Sequence, residues 1–349
     1  MTMQSLRRIL HSSSASIRLL SNTHPCPPIQ SSHYSACSGT SCSRLFSTQS
    51  PSEQSLINED KGKCIVPLNY VKISAKKDLS EDSLSSTTPA VKLPPVIMLH
   101  GVLASSGTYR SVLKRADFAP MRDIYALDLR NHGNSPHVSE MSYDGLIRDV
   151  RNFMSDEGIG NACVIGHSMG GKVGMMLALE DPEKVSELIV LDIAPKIYEG
   201  INPAQTACHA MYAVDLETCE SRSDVENALE ANGITDGKVR SFLMTNLVSD
   251  EGRPGRYTWR LNIQSILDAF PSLFSFPTDL EHTKASYSGR TLFLHGDQSS
   301  FINEESDTKR ILELFPNAKL QLIQDCGHWI VSQQPDAFVK AVNDFLGDE

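Results

Sequence analysis

Several features are scarce in this chain, and each scarcity removes a class of protein. None of its 349 residues falls in an uninterrupted apolar stretch of about 18, so no membrane-spanning helix is expected. There is no run of Lys and Arg, and the formal net charge is −10. A nucleic-acid partner needs a basic face, so none is expected. None of the eight cysteines forms a C-x-x-C pair, which argues against a secreted disulfide framework and against a zinc site. No metal and no organic cofactor are expected. Carboxylates are also missing locally: the first is Glu53.

That local absence marks the N-terminus as a separate region. Before Glu53 come Arg7, Arg8, Arg18 and Arg44, many serines and no Lys. Leu6, Ile9 and Leu10 share one face of a short amphipathic helix. Without residues 1–46 the chain holds 28 basic against 42 acidic residues, a net charge of −14. An Arg-rich, acid-free, Ser-rich leader reads as an organelle transit peptide. Arg44-Leu45-Phe46-Ser47 resembles a mitochondrial processing site, so residues 1–46 are assigned to a transit peptide for the mitochondrial matrix, with a chloroplast address as the alternative. Residues 47–63 are expected to be a disordered linker.

What is present is a rhythm. Val96–Leu99, Ile124–Leu127, Ala162–Ile165, Glu187–Leu191, Thr291–Leu294 and Lys319–Ile323 are short runs rich in apolar residues without alternation. Such runs suit strands buried on both faces of a parallel sheet. Helix-length segments lie between them, which predicts a doubly wound α/β fold. The rhythm breaks over 197–287, where helical stretches but no strong strand run occur. That segment is expected to be a helical cap, inserted between two parts of the core at 64–196 and 288–349.

The chemistry is concentrated at strand ends. Gly166-His167-Ser168-Met169-Gly170 follows one strand run and opens a helix, the context a G-x-S-x-G nucleophile turn requires. A serine hydroxyl needs a base. His328, in Asp325-Cys326-Gly327-His328-Trp329, follows the last strand run and supplies it. Two carboxylates compete to orient that imidazole: Asp192, ending one strand, and Asp297, ending the next. Donors for a developing oxyanion are expected from the N–H of Met169 and from the loop beginning His100-Gly101, with Val102 ahead of Leu103. His132 is given no catalytic role.

His100-Gly101, the Asp128–Ser135 turn, the Gly166–Lys172 segment and Gly327-His328-Trp329 together resemble the α/β-hydrolase superfamily. Leu191–Pro195 and the cap segments Phe242–Leu247 and Trp259–Asn262 narrow this to a branch of mitochondrial serine hydrolases and small bacterial esterases. The likeness spans about residues 64–345 and implies an esterase or thioesterase acting on a small acyl substrate. It further implies that the acid matches Asp192 and that the Asp297 position is not acidic. This chain departs from the pattern by carrying an Asp at both. Phe301, Leu103 and Trp259 are the expected pocket residues. An acyltransferase, or a non-catalytic small-molecule receptor on the same fold, is the alternative.

Overall fold

Runs of β-branched and aliphatic residues in the middle of the chain have no polar face to offer water, so they are stacked in the centre of a sheet and covered from both sides. The computed structural model describes residues 46–49, 64–76, 93–200, 202–276 and 285–347, all within one compact unit, Ser43–Glu349. The strands are β1 (Phe46–Gln49), β2 (Tyr70–Ile73), β3 (Val96–Leu99), β4 (Ile124–Leu127), β5 (Ala162–His167) and β6 (Val185–Leu191), then β7 (Leu247–Ser249), β8 (Tyr257–Trp259), β9 (Arg290–Gly296) and β10 (Ala318–Ile323). Eight of them form one sheet in the order β1-β2-β4-β3-β5-β6-β9-β10. The sheet is parallel from β4 to β10, and β1 and β2 join antiparallel.

The helices are α1 (Arg110–Leu113), α2 (Tyr143–Asp156), α3 (Met169–Glu180), α4 (Pro203–Tyr212), α5 (Arg222–Ala231), α6 (Gly237–Met244), α7 (Ile263–Leu273), α8 (Glu304–Leu314), α9 (Ile330–Gln333) and α10 (Pro335–Leu346). Alternate residues of each central strand enter opposite cores, as the period of two demands. Ile97, Leu99, Val164, Leu188 and Val190 pack with α2, α3 and α8, in a cluster that continues into the cap. Val96, Met98, Ile165, Ile189 and Leu191 pack with α1, α9 and α10. Each such fully buried aliphatic side chain contributes about 1.5–3 kcal/mol.

Three expectations need correction. β10 is not buried on both faces: it is an edge strand, and Lys319, Gln321 and Leu322 are exposed. The cap between β6 and β9 is not wholly helical, because β7 and β8 pair as an antiparallel ribbon between α6 and α7. Three-residue strands are too short to give a periodic signal. Phe46–Gln49, at the boundary of the expected transit peptide and linker, pairs as β1 with β2. A strand of four residues is stabilised by its neighbour's unpaired edge, which the local sequence cannot report. The rest of the expected transit peptide and linker lies outside the described residues.

Candidate active site

The turn from β5 into α3 is set by glycines. A Cβ on Gly166 would lie 2.3 Å from the Gly170 carbonyl oxygen, and one on Gly170 would lie 2.4 Å from that of Leu99. Only glycine lets the backbones approach this closely. The tight turn drives Ser168 to φ 51°, ψ −115°, a conformation costing about 1–3 kcal/mol for a residue with a side chain. The Ser168 N–H donates to the Leu191 carbonyl at 3.0 Å, and its own carbonyl accepts from the Lys172 N–H at 3.1 Å to start α3. Met169 is the first residue of that helix, where backbone N–H groups have no intrahelical acceptor.

His328 sits on the loop between β10 and α9. Its Nδ1–H donates to Asp192 Oδ2 at 2.7 Å, and its ring stacks on Phe301 with centroids 3.9 Å apart and planes 18° apart. Its carbonyl accepts from His167 Nε2 at 2.8 Å. Burial, reinforced by the neighbouring His328, pushes the His167 imidazole down to about 3, which keeps it neutral. Asp192 directly follows β6 at φ 51° and is fully buried. Its carboxylate also accepts from the Gly296 N–H at 3.3 Å and from the Ser299 hydroxyl. Three donors on one buried carboxylate satisfy the need of a desolvated charge for partners.

The other proposed acid is placed elsewhere. Asp297 follows β9, is exposed, and accepts from the Cys326 N–H at 2.9 Å. That backbone donor holds its carboxyl below the usual carboxylate range. The structure therefore brings Asp192, and not Asp297, to the His328 ring.

Ser168 and His328 line one cavity of about 230 Å³. Its walls are mostly apolar: Val102, Leu103, Val239, Phe242, Phe274, Phe301 and Trp329 contribute, and among the described residues no Asp, Glu, Lys or Arg lines it. Of the expected pocket residues, Leu103 and Phe301 line this cavity. Trp259 does not. It belongs to the β7–β8 ribbon and lines a separate, open groove with His137 and Tyr212. The rings of Phe242 of α6 and Trp329 of the histidine loop, both lining the cavity, have centroids 5.6 Å apart, a contact between cap and core. Trp329 was missed although its place beside His328 was a usable signal. Ser299 carried none, because its contact depends on β6 and β9 being neighbours.

Lys172, one turn into α3, is buried beside the site. Its Nζ donates to the Ser275 carbonyl at 2.7 Å and lies 4.9 Å from the Tyr198 ring centre. Burial pushes it down to about 7.

With this geometry in place, comparison with known proteins is informative. Residues 94–335 match the family described as alpha/beta hydrolase fold. The chain is 34% identical over 260 residues to the sn-1-specific diacylglycerol lipase ABHD11 of Mus musculus, covering 73% of this chain and 81% of the relative. It is 28% identical over 254 residues to the esterase YbfF of Escherichia coli, covering 73% and 93%. A solved marine microorganism esterase superposes with a TM-score of 0.68 at 30% identity, covering 80% of this chain and 99% of that one.

Proposed function

Since the chain belongs to the α/β-hydrolase fold family, we propose that it is a carboxylic ester hydrolase that works through Ser168, His328 and Asp192 and an acyl-enzyme. The observation that carries this reading is one cavity, free of Asp, Glu, Lys and Arg side chains among the described residues, lined by a serine on a strained glycine turn and by an imidazole whose far nitrogen is held by a buried carboxylate.

In the first half-reaction His328 Nε2 takes the Ser168 proton as the oxygen attacks the carbonyl carbon. Asp192 fixes the tautomer that leaves Nε2 free and stabilises the imidazolium. The developing oxyanion is received by the N–H groups of Met169 and Val102. His328 then protonates the leaving alkoxide or thiolate. Water repeats the attack with His328 again as base, releasing the acid. The small apolar cavity supports an uncharged acyl group of modest length, in an ester or thioester. The name of the mouse relative makes acylglycerols the natural class to try after simple esters.

The test is a fluorophosphonate probe together with a series of p-nitrophenyl esters. Labelling of the wild type, none of Ser168→Ala, and ester turnover lost in the same variant are expected. No labelling and no turnover would favour a receptor. Labelling with turnover only when an alcohol or thiol acceptor is added would favour an acyltransferase. The Arg-rich, acid-free leader further supports delivery to mitochondria. Sequencing the mature N-terminus checks this: a start near Ser47 is expected, and a start far from it, or recovery from plastids, would overturn it.

A further inference from the structure

We propose that His132 and the cap residue Asn246 are positioning residues that clamp the backbone of Leu103 on both sides so that the neighbouring Val102 N–H faces the substrate's carbonyl oxygen. The proposal rests on the reading of Ser168 as nucleophile.

The loop after β3 is not held by its own backbone preference. Leu103 has φ 60°, the left-handed region that a leucine avoids, so something outside the loop must impose it. Both polar groups of Leu103 are gripped. Its N–H donates to His132 Nε2 at 3.2 Å. Its carbonyl accepts from Asn246 Nδ2 at 2.9 Å, across 143 positions of sequence. His132 and Asn246 are both buried, at 0% and 2% exposure, so water does not compete for either bond.

The grip on the N–H decides which donor remains. Leu103 has given its hydrogen to His132, whereas the neighbouring Val102 N–H has no acceptor among the described residues. Gly101 is fixed as well: its carbonyl accepts from His100 Nδ1 at 2.8 Å and from the Ala104 N–H at 3.2 Å. A Cβ on Gly101 would fall 3.2 Å from that of Ser168, so the free donor is carried by a loop packed against the nucleophile turn.

His132 is itself oriented to accept. Its Nδ1–H donates to the Arg130 carbonyl at 2.9 Å, which leaves the Nε2 lone pair toward Leu103. Burial and the adjacent His100 push its pKa down to about 3, so the ring stays neutral. The cap secures this arm too. The Asn262 N–H donates to the Asn131 carbonyl at 3.0 Å, and Asn262 Nδ2 to Asn131 Oδ1 at 3.3 Å. The two cap segments thus reach the core where they can set the oxyanion donor, one directly and one through the turn that carries His132.

The experiment compares His132→Leu, His132→Gln and Asn246→Ala with the wild type on a p-nitrophenyl ester. Two inhibitors accompany it. A trifluoromethyl ketone forms a tetrahedral oxyanion on Ser168, and the matching ether fills the cavity without one. His132→Leu and Asn246→Ala are expected to lower kcat by about 10²-fold and to weaken the ketone in proportion. KM and ether binding should stay within about twofold. His132→Gln, which keeps an acceptor near the Nε2 position, should recover most of the loss. Unchanged kcat, or equal weakening of ketone and ether, or a folded Gln variant no better than Leu, would overturn the proposal. If His132→Leu fails to fold by circular dichroism, Asn246→Ala decides from the carbonyl side of the same residue. Turnover surviving in Ser168→Ala would instead sink the nucleophile reading on which this one stands.

Discussion

The loops that follow β6 and β9 begin alike. Each strand is succeeded at once by an aspartate, Asp192 or Asp297, and the two strands are neighbours in the sheet. Yet one carboxylate is fully buried with a histidine, a serine and a backbone N–H around it, and the other is exposed and held by backbone donors, the Cys326 N–H foremost. The difference lies in the backbone. Asp192 turns at φ 51° directly after its strand, while Asp297 closes its own loop onto the residues before His328. Residue type and place at a strand end are therefore insufficient to make an acid; the turn taken after the strand is what supplies a partner.

The most severe way to break this comparison is Asp192→Asn. The amide leaves the imidazole in the wrong tautomer, and kcat/KM should fall by about 10⁴-fold. The same substitution at Asp297 should leave steady-state turnover within about twofold; the reverse result would exchange the two roles. Next in size is Ser299→Ala. It removes the hydroxyl donor to the buried carboxylate, a charge-assisted bond worth about 1.5–3 kcal/mol. A loss in kcat of about tenfold, measured with an unchanged circular dichroism spectrum, is expected. Phe301→Ala sharpens the contrast further, since it removes the ring stacked on His328 and widens the cavity. KM for short acyl chains should rise by a few-fold and longer chains should become better substrates, read from a p-nitrophenyl series. The loop after β9 would then serve the site through Ser299 and Phe301 instead of through its aspartate.

The smallest effect concerns acid stability. The Cys326 N–H lowers the Asp297 pKa in the folded chain relative to the unfolded one. The sign follows from linkage: this contribution is present above the ordinary carboxylate value and is lost as pH falls through the lower folded value. Melting temperatures of the wild type should therefore lie slightly above those of Asp297→Asn near neutrality, and the gap should close as pH falls through the lower folded value.

How far the sequence carries can be judged at these residues. At the candidate site, Ser168 and His328 were legible because a strand, a glycine turn and a helix announce one, and chain order after the last strand run announces the other. The carboxylate that reaches the His328 ring was not, because Asp192 and Asp297 share those local features and differ only in tertiary partners. Trp259 was misread as a cavity residue because aromatic character says nothing about which side of a two-stranded ribbon faces the core. The three-residue strands β7 and β8 were invisible for want of length, and β1 because its pairing partner is set by tertiary structure. His132 was given no catalytic role, and the bond it accepts from a loop 29 residues earlier has no local signature that could have suggested a positioning one.

The cap enters the chain as one insertion between β6 and β9, which makes it an inviting cassette for grafting between relatives. Its Asn246 and Asn262 nevertheless reach residues 103 and 131 of the core. A chimera that carries a foreign cap without an amide at both places would inherit new selectivity together with a slackened catalytic loop, so its poor rates would say little about how well the new pocket fits. Choosing donors that keep both asparagines, or restoring them in the graft, separates the two.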